Sequence, residues 1–127
     1  MKNTMKRLSA AVLALVIGLA VLCPAAFAAA SLPDLPKGQC VVDDANVLDS
    51  NTVQTITDLN NQLESSCKGA QIGVLTVDYT GNYSTEDYAA QAFNTWGIGS
   101  ASANNGVLIL LVMESPIYDG GDYYVTY

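Results

Sequence analysis

The chain of 127 residues contains no histidine, and its single arginine is Arg7. Histidine is the usual general base at neutral pH and a frequent metal ligand, so mechanisms built on it are excluded. A cysteine nucleophile that attacks phosphate needs an arginine whose guanidinium group binds two phosphate oxygens. The chain has no arginine after Arg7. Nucleotide-binding glycine motifs and a CxxC pair are also missing. For the hydrolysis of a phosphate ester, these residue types leave open a metal-dependent mechanism.

Three of the five basic residues lie within the first seven positions. An apolar run over residues 8–22 follows, then Pro24 and the small-x-small triplet Ala26-Phe27-Ala28. This pattern predicts a secretory signal peptide over residues 1–28. The apolar run of about 15 residues is shorter than the roughly 20 that span a bilayer, and an uncleaved N-terminal anchor is the alternative.

Cleavage after residue 28 leaves Lys37 and Lys68 against all twelve acidic residues, a net charge of −10. Such a surface repels nucleic-acid phosphates and anionic lipid headgroups and attracts cations such as calcium. We therefore expect no nucleic-acid partner. The predicted signal peptide implies a location outside the cell or on the extracytoplasmic face of the membrane. Contact with the membrane itself would come only through an uncleaved signal or a missing C-terminal anchor.

Two cysteines remain after cleavage, Cys40 and Cys67. Export permits disulfides, and the even number favours a Cys40–Cys67 bridge, with two free thiols as the alternative. A loop of about 26 residues closed in this way contributes roughly 3 kcal/mol in the chain-entropy model.

Residues 29–39 carry two prolines and a glycine and predict an extended linker, which leaves residues 40–127 as the domain. Short strands are predicted at 41–43 and 70–77, and a last strand at 123–127 after a glycine-containing turn. Apolar spacing predicts helices from Asp49 or Ser50 to about residue 66, and from Ser84 or Thr85 to Gly97. The nearly continuous apolar run 106–113 predicts a central strand covered on both faces.

The order β-α-β-α-β-β predicts an α/β fold with a mixed, mostly parallel four-stranded sheet and helices on both faces. The sequence stops inside the last predicted strand. Two helices do not easily cover both faces of four strands, so we expect the domain to be truncated at its C-terminus.

Acidic and amide side chains flank the predicted parallel strands. Asp43 and Asp44 follow the first strand, Asp78 follows the second, and Asn104 and Glu114 lie before and after the third. Ligands in open α/β sheets bind outside the carboxyl ends of the strands, and calcium takes several oxygen ligands. These residues predict a weak calcium site, and the alternative is that each acid forms a turn or caps a helix.

Seven tyrosines are many for a domain of this size. Several must lie at the surface, because one small core cannot hold them all. Tyrosine is typical of contact surfaces, and the alternative is packing along the edge of the last strand.

Three motifs in order resemble the TPM domain family. They are V-x-D-x-A-x-x-L at residues 41–48, F-x-x-W-G-I-G at 93–99 and N-G-V-L-x-L-L at 105–111. The resemblance implies a three-layer α/β/α sandwich, export, and a C-terminal extension with further helices and a membrane span. It also implies acid phosphatase activity, calcium binding or the assembly of membrane complexes. The family usually has an aspartate where this chain has Asn104, which weakens any metal site that uses that position.

The sequence therefore favours an exported, non-catalytic interaction domain that is modulated by calcium and binds a protein partner at the cell envelope. A metal-dependent phosphatase of the TPM family is the alternative, and a third possibility is that the shortened chain is inert.

Overall fold

The computed structural model describes residues 30–113 and 120–127. The predicted signal peptide and Glu114 lie outside the described residues.

Capping side chains set the boundaries of both described helices. The elements are β1 (Val41–Asp43), α1 (Ser50–Ser66), β2 (Gln71–Val77), α2 (Thr85–Trp96), β3 (Gly106–Val112) and β4 (Asp122–Thr126). The Asp49 carboxylate accepts the Thr52 N–H at 2.7 Å, and the Ser84 hydroxyl accepts the Asp87 N–H at 3.1 Å. Gly97 ends α2 in the left-handed conformation. The predicted order of elements is confirmed, with boundaries that differ by about one residue.

The four strands form one sheet in the order β1-β2-β3-β4. β1 pairs with β2 and β2 with β3 in parallel, while β4 adds to β3 in antiparallel orientation. The predicted mixed, mostly parallel sheet is confirmed. The βαβ connections explain this topology, because a helical crossover returns the chain to the same end of the sheet.

Side chains that alternate along the strands form two separate apolar clusters. Leu75, Leu108 and Leu110 are fully buried in the cluster that contains residues of α2. Val41 and Val74 pack in the other cluster, which includes residues of α1. Each fully buried leucine stabilises the fold by about 1.5–3 kcal/mol, so the α2 face contributes the larger core.

Each helix covers only half the width of the sheet. α1 contacts β1 and β2 on one face, and α2 contacts β3 and β4 on the other. The prediction that β3 is an interior strand is confirmed. In the described part of the chain its even-numbered side chains are buried on the α2 face, while Val107, Ile109 and Leu111 are half-buried on the other face, where Ile109 packs against the α1 cluster. A complete three-layer sandwich and a C-terminal truncation stay predictions.

Residues 30–36 follow the predicted cleavage site, and hydrogen bonds hold their first part against α2; we call this segment the strap. The Ala30 N–H donates to Gln91 Oε1 at 2.9 Å, the Tyr88 hydroxyl donates to Ser31 O at 3.0 Å, and the Trp96 indole N–H donates to Pro33 O at 3.1 Å. Ala30 and Leu32 also join the α2 cluster. This part of the predicted linker is therefore packed against the domain.

Two glycines allow the α2–β3 loop to touch the start of β3. A Cβ atom on Gly106 would lie 2.0 Å from Ile98 O, and one on Gly99 would lie 2.5 Å from Gly106 Cα. Asn105 ties the same region together, since its side chain accepts the Ser100 N–H and donates to Cys67 O, both at 3.0 Å. The second and third motifs thus contain residues that backbone contact requires.

We predict that Gly106→Ala destabilises the domain by about 3 kcal/mol or more, because backbone atoms cannot yield to the added methyl group as a flexible side chain would. Denaturant unfolding followed by circular dichroism measures the effect. Gly38→Ala is the control, because a Cβ atom at Gly38 would have no atom within 4 Å and only the left-handed φ of 79° opposes an alanine there. This variant should lower the free energy of unfolding by about 1–2 kcal/mol. Equal effects in the two variants would contradict the contact at Gly106.

Candidate functional site

The carboxyl ends of β1 and β2 meet at one edge of the sheet, because the two strands are parallel. Asp43 ends β1, Asp44 follows it, and Asp78 follows β2. The side chains of Asp44 and Asp78 are exposed. The structure therefore brings these three acids to the same edge, as the sequence predicted.

Protein donors occupy the Asp43 carboxylate. Its oxygens accept the Val47 N–H at 3.0 Å, the Leu48 N–H at 2.9 Å and the Thr76 hydroxyl at 2.5 Å. Thr76 Oγ1 in turn accepts the Ala45 N–H at 3.2 Å. Burial acts to raise the pKa of Asp43, but these hydrogen bonds together lower it below its usual value. Asp43 thus fixes the loop between β1 and α1.

A cavity of about 440 Å³ opens beside this edge. Its walls include Tyr79, Tyr83, Tyr88 and the side chain of Asp44. Burial, with a smaller effect from the negative charge of Asp44, raises the pKa of Tyr88. The lining of the cavity therefore combines three aromatic residues with one acid.

One other predicted metal ligand, Asn104, does not join this edge. Asn104 precedes β3 and so lies at the opposite end of that strand from the carboxyl edge. Its positive φ of 48° identifies it as a left-handed turn residue, a conformation that asparagine tolerates well. Within residues 30–113 and 120–127, no three acidic or cysteine side chains gather closely enough to hold a metal ion. Calcium binding stays a prediction that involves Glu114, which lies outside those residues.

Both described cysteines are free thiols in the structure. Cys40 is buried, and desolvation raises its pKa despite hydrogen bonds with Thr57 and Asn60. Cys67 is exposed at the C-cap of α1. The structure thus does not contain the predicted disulfide.

A surface that the sequence analysis missed lies on the side of the sheet opposite α2. We call it the bare face. Tyr123 is 70% exposed and Val125 is 44% exposed. They pair with Leu111 and Ile109 of β3, so all four side chains point to the same side. The bare face consists of Val107, Ile109, Leu111, Tyr123, Val125 and Tyr127, none of which is charged.

A family model for the TPM domain matches residues 41–124. The chain belongs to the TPM domain family. The matched range contains the carboxyl edge, both helices and most of the bare face. The resemblance drawn from the three motifs is therefore confirmed.

The TPM domain is also similar to a solved structure, the solution NMR structure of the N-terminal domain of a protein from P. gingivalis. The two are 27% identical with a TM-score of 0.50, over 59% of this chain and 47% of that one. The chain thus spans about half the length of that relative. No curated protein matches it. Neither helix of the described ranges is long and apolar enough to cross a membrane.

We predict that Asp43→Asn lowers the free energy of unfolding by about 1–2 kcal/mol at pH 7, because an amide offers one acceptor oxygen where the carboxylate offers two. The pKa of Asp43 is lower in the folded protein than in the unfolded chain. The stability that the charged carboxylate contributes is therefore fully present above the ordinary aspartate pKa, and it is lost as the pH falls through the folded-state pKa. The difference between the two proteins should therefore shrink from pH 5 to pH 2 in urea titrations. Asp78→Asn is the control, and an equal effect there would contradict the role of Asp43.

We predict that one thiol of the native exported protein, that of Cys67, reacts rapidly with Ellman's reagent without reductant. Cys40 should react only after unfolding, because a buried thiol with a raised pKa forms little thiolate. Cys67→Ser should remove the rapid phase, and Cys40→Ser should leave it intact. Two unreactive cysteines that appear only after reduction would instead establish the disulfide.

Proposed function

We propose that this TPM domain is an exported, non-catalytic interaction domain of the cell envelope, and that its partner binds the bare face. The observation that carries the proposal is the exposure of Tyr123 and Val125 beside half-buried aliphatic side chains. Contiguous exposed apolar patches are uncommon on monomeric proteins, and they mark sites that contact proteins, membranes or ligands.

The composition of the bare face supports the same function. The chain has twelve acidic residues, and the bare face contains none of them. Centres of protein interfaces are depleted in charge and enriched in tyrosine, which offers a rigid ring with a polar tip. The bare face shows both features.

The carboxyl edge supports a catalytic function less well. Asp43, the acid that ends β1, already accepts hydrogen bonds at both carboxylate oxygens from the β1–α1 loop and from Thr76 of β2. Asp44 and Asp78 remain exposed and are the described residues that calcium would use, together with Glu114. Calcium modulation through these three acids is the second part of the proposal.

Photo-crosslinking in the envelope of the producing cells tests the proposal. Benzoylphenylalanine at position 123 should give discrete protein adducts, because that side chain points out of the bare face. The same group at position 79, a tyrosine that is 42% exposed beside the cavity, is the matched control and should give far fewer. If calcium modulates binding, adduct yield at position 123 should differ between calcium and a chelator.

Two results would overturn this function. Adducts from position 79 alone would move the contact site to the cavity. Metal-stimulated hydrolysis of p-nitrophenyl phosphate that Asp44→Asn abolishes would establish the phosphatase alternative.

A further inference from the structure

The cavity of about 440 Å³ at the carboxyl edge shares no residue with the bare face. Three parts of the chain surround it: the strap at residues 31–33, Asp44 after β1, and the β2–α2 loop together with Tyr88 of α2. Its volume lies within the range of about 300–1,000 Å³ that is typical of pockets for small molecules. The cavity is therefore a second place on the domain where a ligand can bind.

Hydrogen bonds hold the walls of the cavity in place. In the β2–α2 loop, the Thr80 side chain is 1% exposed and its hydroxyl donates to Tyr83 O at 2.8 Å. On the opposite wall, the Tyr88 hydroxyl donates to Ser31 O at 3.0 Å and thereby ties the strap to α2. Walls that are ordered before binding lose little conformational entropy when a ligand enters.

The side chains of the lining indicate the chemistry of the ligand. Tyr79 is 42% exposed, Tyr83 is half-buried, and Asp44 is the acid among the lining residues. Aromatic rings attract cations, most strongly where a carboxylate adds its charge. The basic residues that follow the predicted signal peptide are Lys37 and Lys68, and neither lines the cavity. An anionic ligand such as a phosphate ester would therefore meet no positive side chain.

The charge of Asp44 reaches the aromatic residues of the cavity. Burial raises the pKa of Tyr88, and the negative charge of Asp44 raises it further. The predicted net charge of −10 on the exported domain acts in the same direction at long range, since it concentrates cations near the surface. Local and overall charge thus both favour a positively charged ligand.

We propose that this cavity binds a free, small organic cation with an alkylammonium group, held by Asp44 and the three lining tyrosines. The diffuse charge of a trimethylammonium group suits aromatic walls. A calcium ion instead requires several oxygen ligands, and the lining supplies one carboxylate. The inference goes beyond the proposed function, because it needs neither the bare face nor a protein partner.

Titration with choline chloride tests the inference. With isotope-labelled exported protein at constant ionic strength, NMR signals of backbone amides in the strap and the β2–α2 loop should shift and saturate. We expect a dissociation constant on the order of 1 mM, since a small ligand makes few contacts in an open cavity. No saturable shift at choline concentrations up to about 20 mM would overturn the inference.

An uncharged analogue separates cation binding from apolar binding in the unaltered protein. In dimethylbutanol a carbon atom replaces the ammonium nitrogen of choline, so the shape is kept and the charge is lost. Its affinity should be lower by about fivefold or more, because it gains nothing from the carboxylate or from the electrostatic attraction of the rings. Equal affinities would contradict a cation site.

Removal of the carboxylate should weaken binding through a local effect. Asp44→Asn is expected to raise the dissociation constant for choline by about fivefold or more, as loss of one charge at close range does in water. Asp58→Asn is the matched control: Asp58 is exposed on α1 and changes the net charge equally, and its effect should stay below about twofold. Equal effects would mean that overall charge attracts the cation, and the site would be withdrawn.

Two substitutions at one position test the aromatic wall. Tyr79→Leu should weaken choline binding by about twofold or more, because the ring is lost, while Tyr79→Phe should keep the affinity of the unaltered protein. Full affinity in Tyr79→Leu, or an equal loss in both variants, would contradict a role for the ring.

Vesicles of phosphatidylcholine distinguish a free cation from a lipid headgroup that carries the same trimethylammonium group. In the lipid a phosphate accompanies this group, and the cavity offers an acid and no base. The protein should therefore stay in the supernatant when the vesicles are sedimented. Co-sedimentation that Asp44→Asn abolishes would overturn the assignment to a free ligand. Failure of the crosslinking at position 123 would remove the proposed function and leave this inference standing.

Discussion

The width of a helix relative to a sheet is the constraint on which this structure depends. A helix is about 10–12 Å across, and neighbouring strands are about 4.8 Å apart, so one helix covers about two strands. α1 lies over β1 and β2, and α2 lies over β3 and β4 on the opposite face. Ala30 and Leu32 of the strap pack beside α2 and Val42. Among the described residues, the bare face is thus the part of the sheet that lies outside the contacts of both helices, with Ile109 at the margin of the α1 cluster.

The sequence predicted the local elements well because their signals are local. Helical spacing of apolar residues, the caps Asp49 and Ser84, and the left-handed Gly97 specify where each helix begins and ends. The bare face was missed for a physical reason. A continuous apolar run such as residues 106–112 has the same pattern whether one face or both are covered, so periodicity does not report coverage. The weak alternation of residues 123–127, whose odd-numbered side chains are the exposed ones in the structure, was the available signal.

The strap and the carboxyl edge show two further limits of prediction from the sequence. Pro33 and Pro36 are typical of linkers, but backbone carbonyls of the strap accept hydrogen bonds from Tyr88 and Trp96, and such partners are distant in sequence. The sequence correctly placed Asp43, Asp44 and Asp78 at one edge, since parallel strands dictate that. It did not predict that Thr76 and two backbone amides would occupy Asp43, because this network forms only once β1 pairs with β2.

The family motifs in this chain consequently describe the fold more than a reaction. Asp43 secures a loop, Asn105 joins two loops, and Gly99 and Gly106 permit backbone contact. Each of these contacts supports the fold of this chain, whatever the chain binds. Functional differences should therefore arise where the motifs do not constrain the surface, and the bare face lies largely in such positions.

Charge then decides which partners can reach that surface. The exported domain has a net charge of −10 by prediction, with its acids outside the bare face. Long-range repulsion keeps anionic surfaces away, while an uncharged patch loses little free energy on desolvation. Specificity then has two sources: the acids around the bare face repel anionic surfaces, and the apolar side chains of the bare face attract an apolar partner. A partner with an uncharged apolar surface meets both conditions, because its side chains cover the bare face without bringing charge into contact.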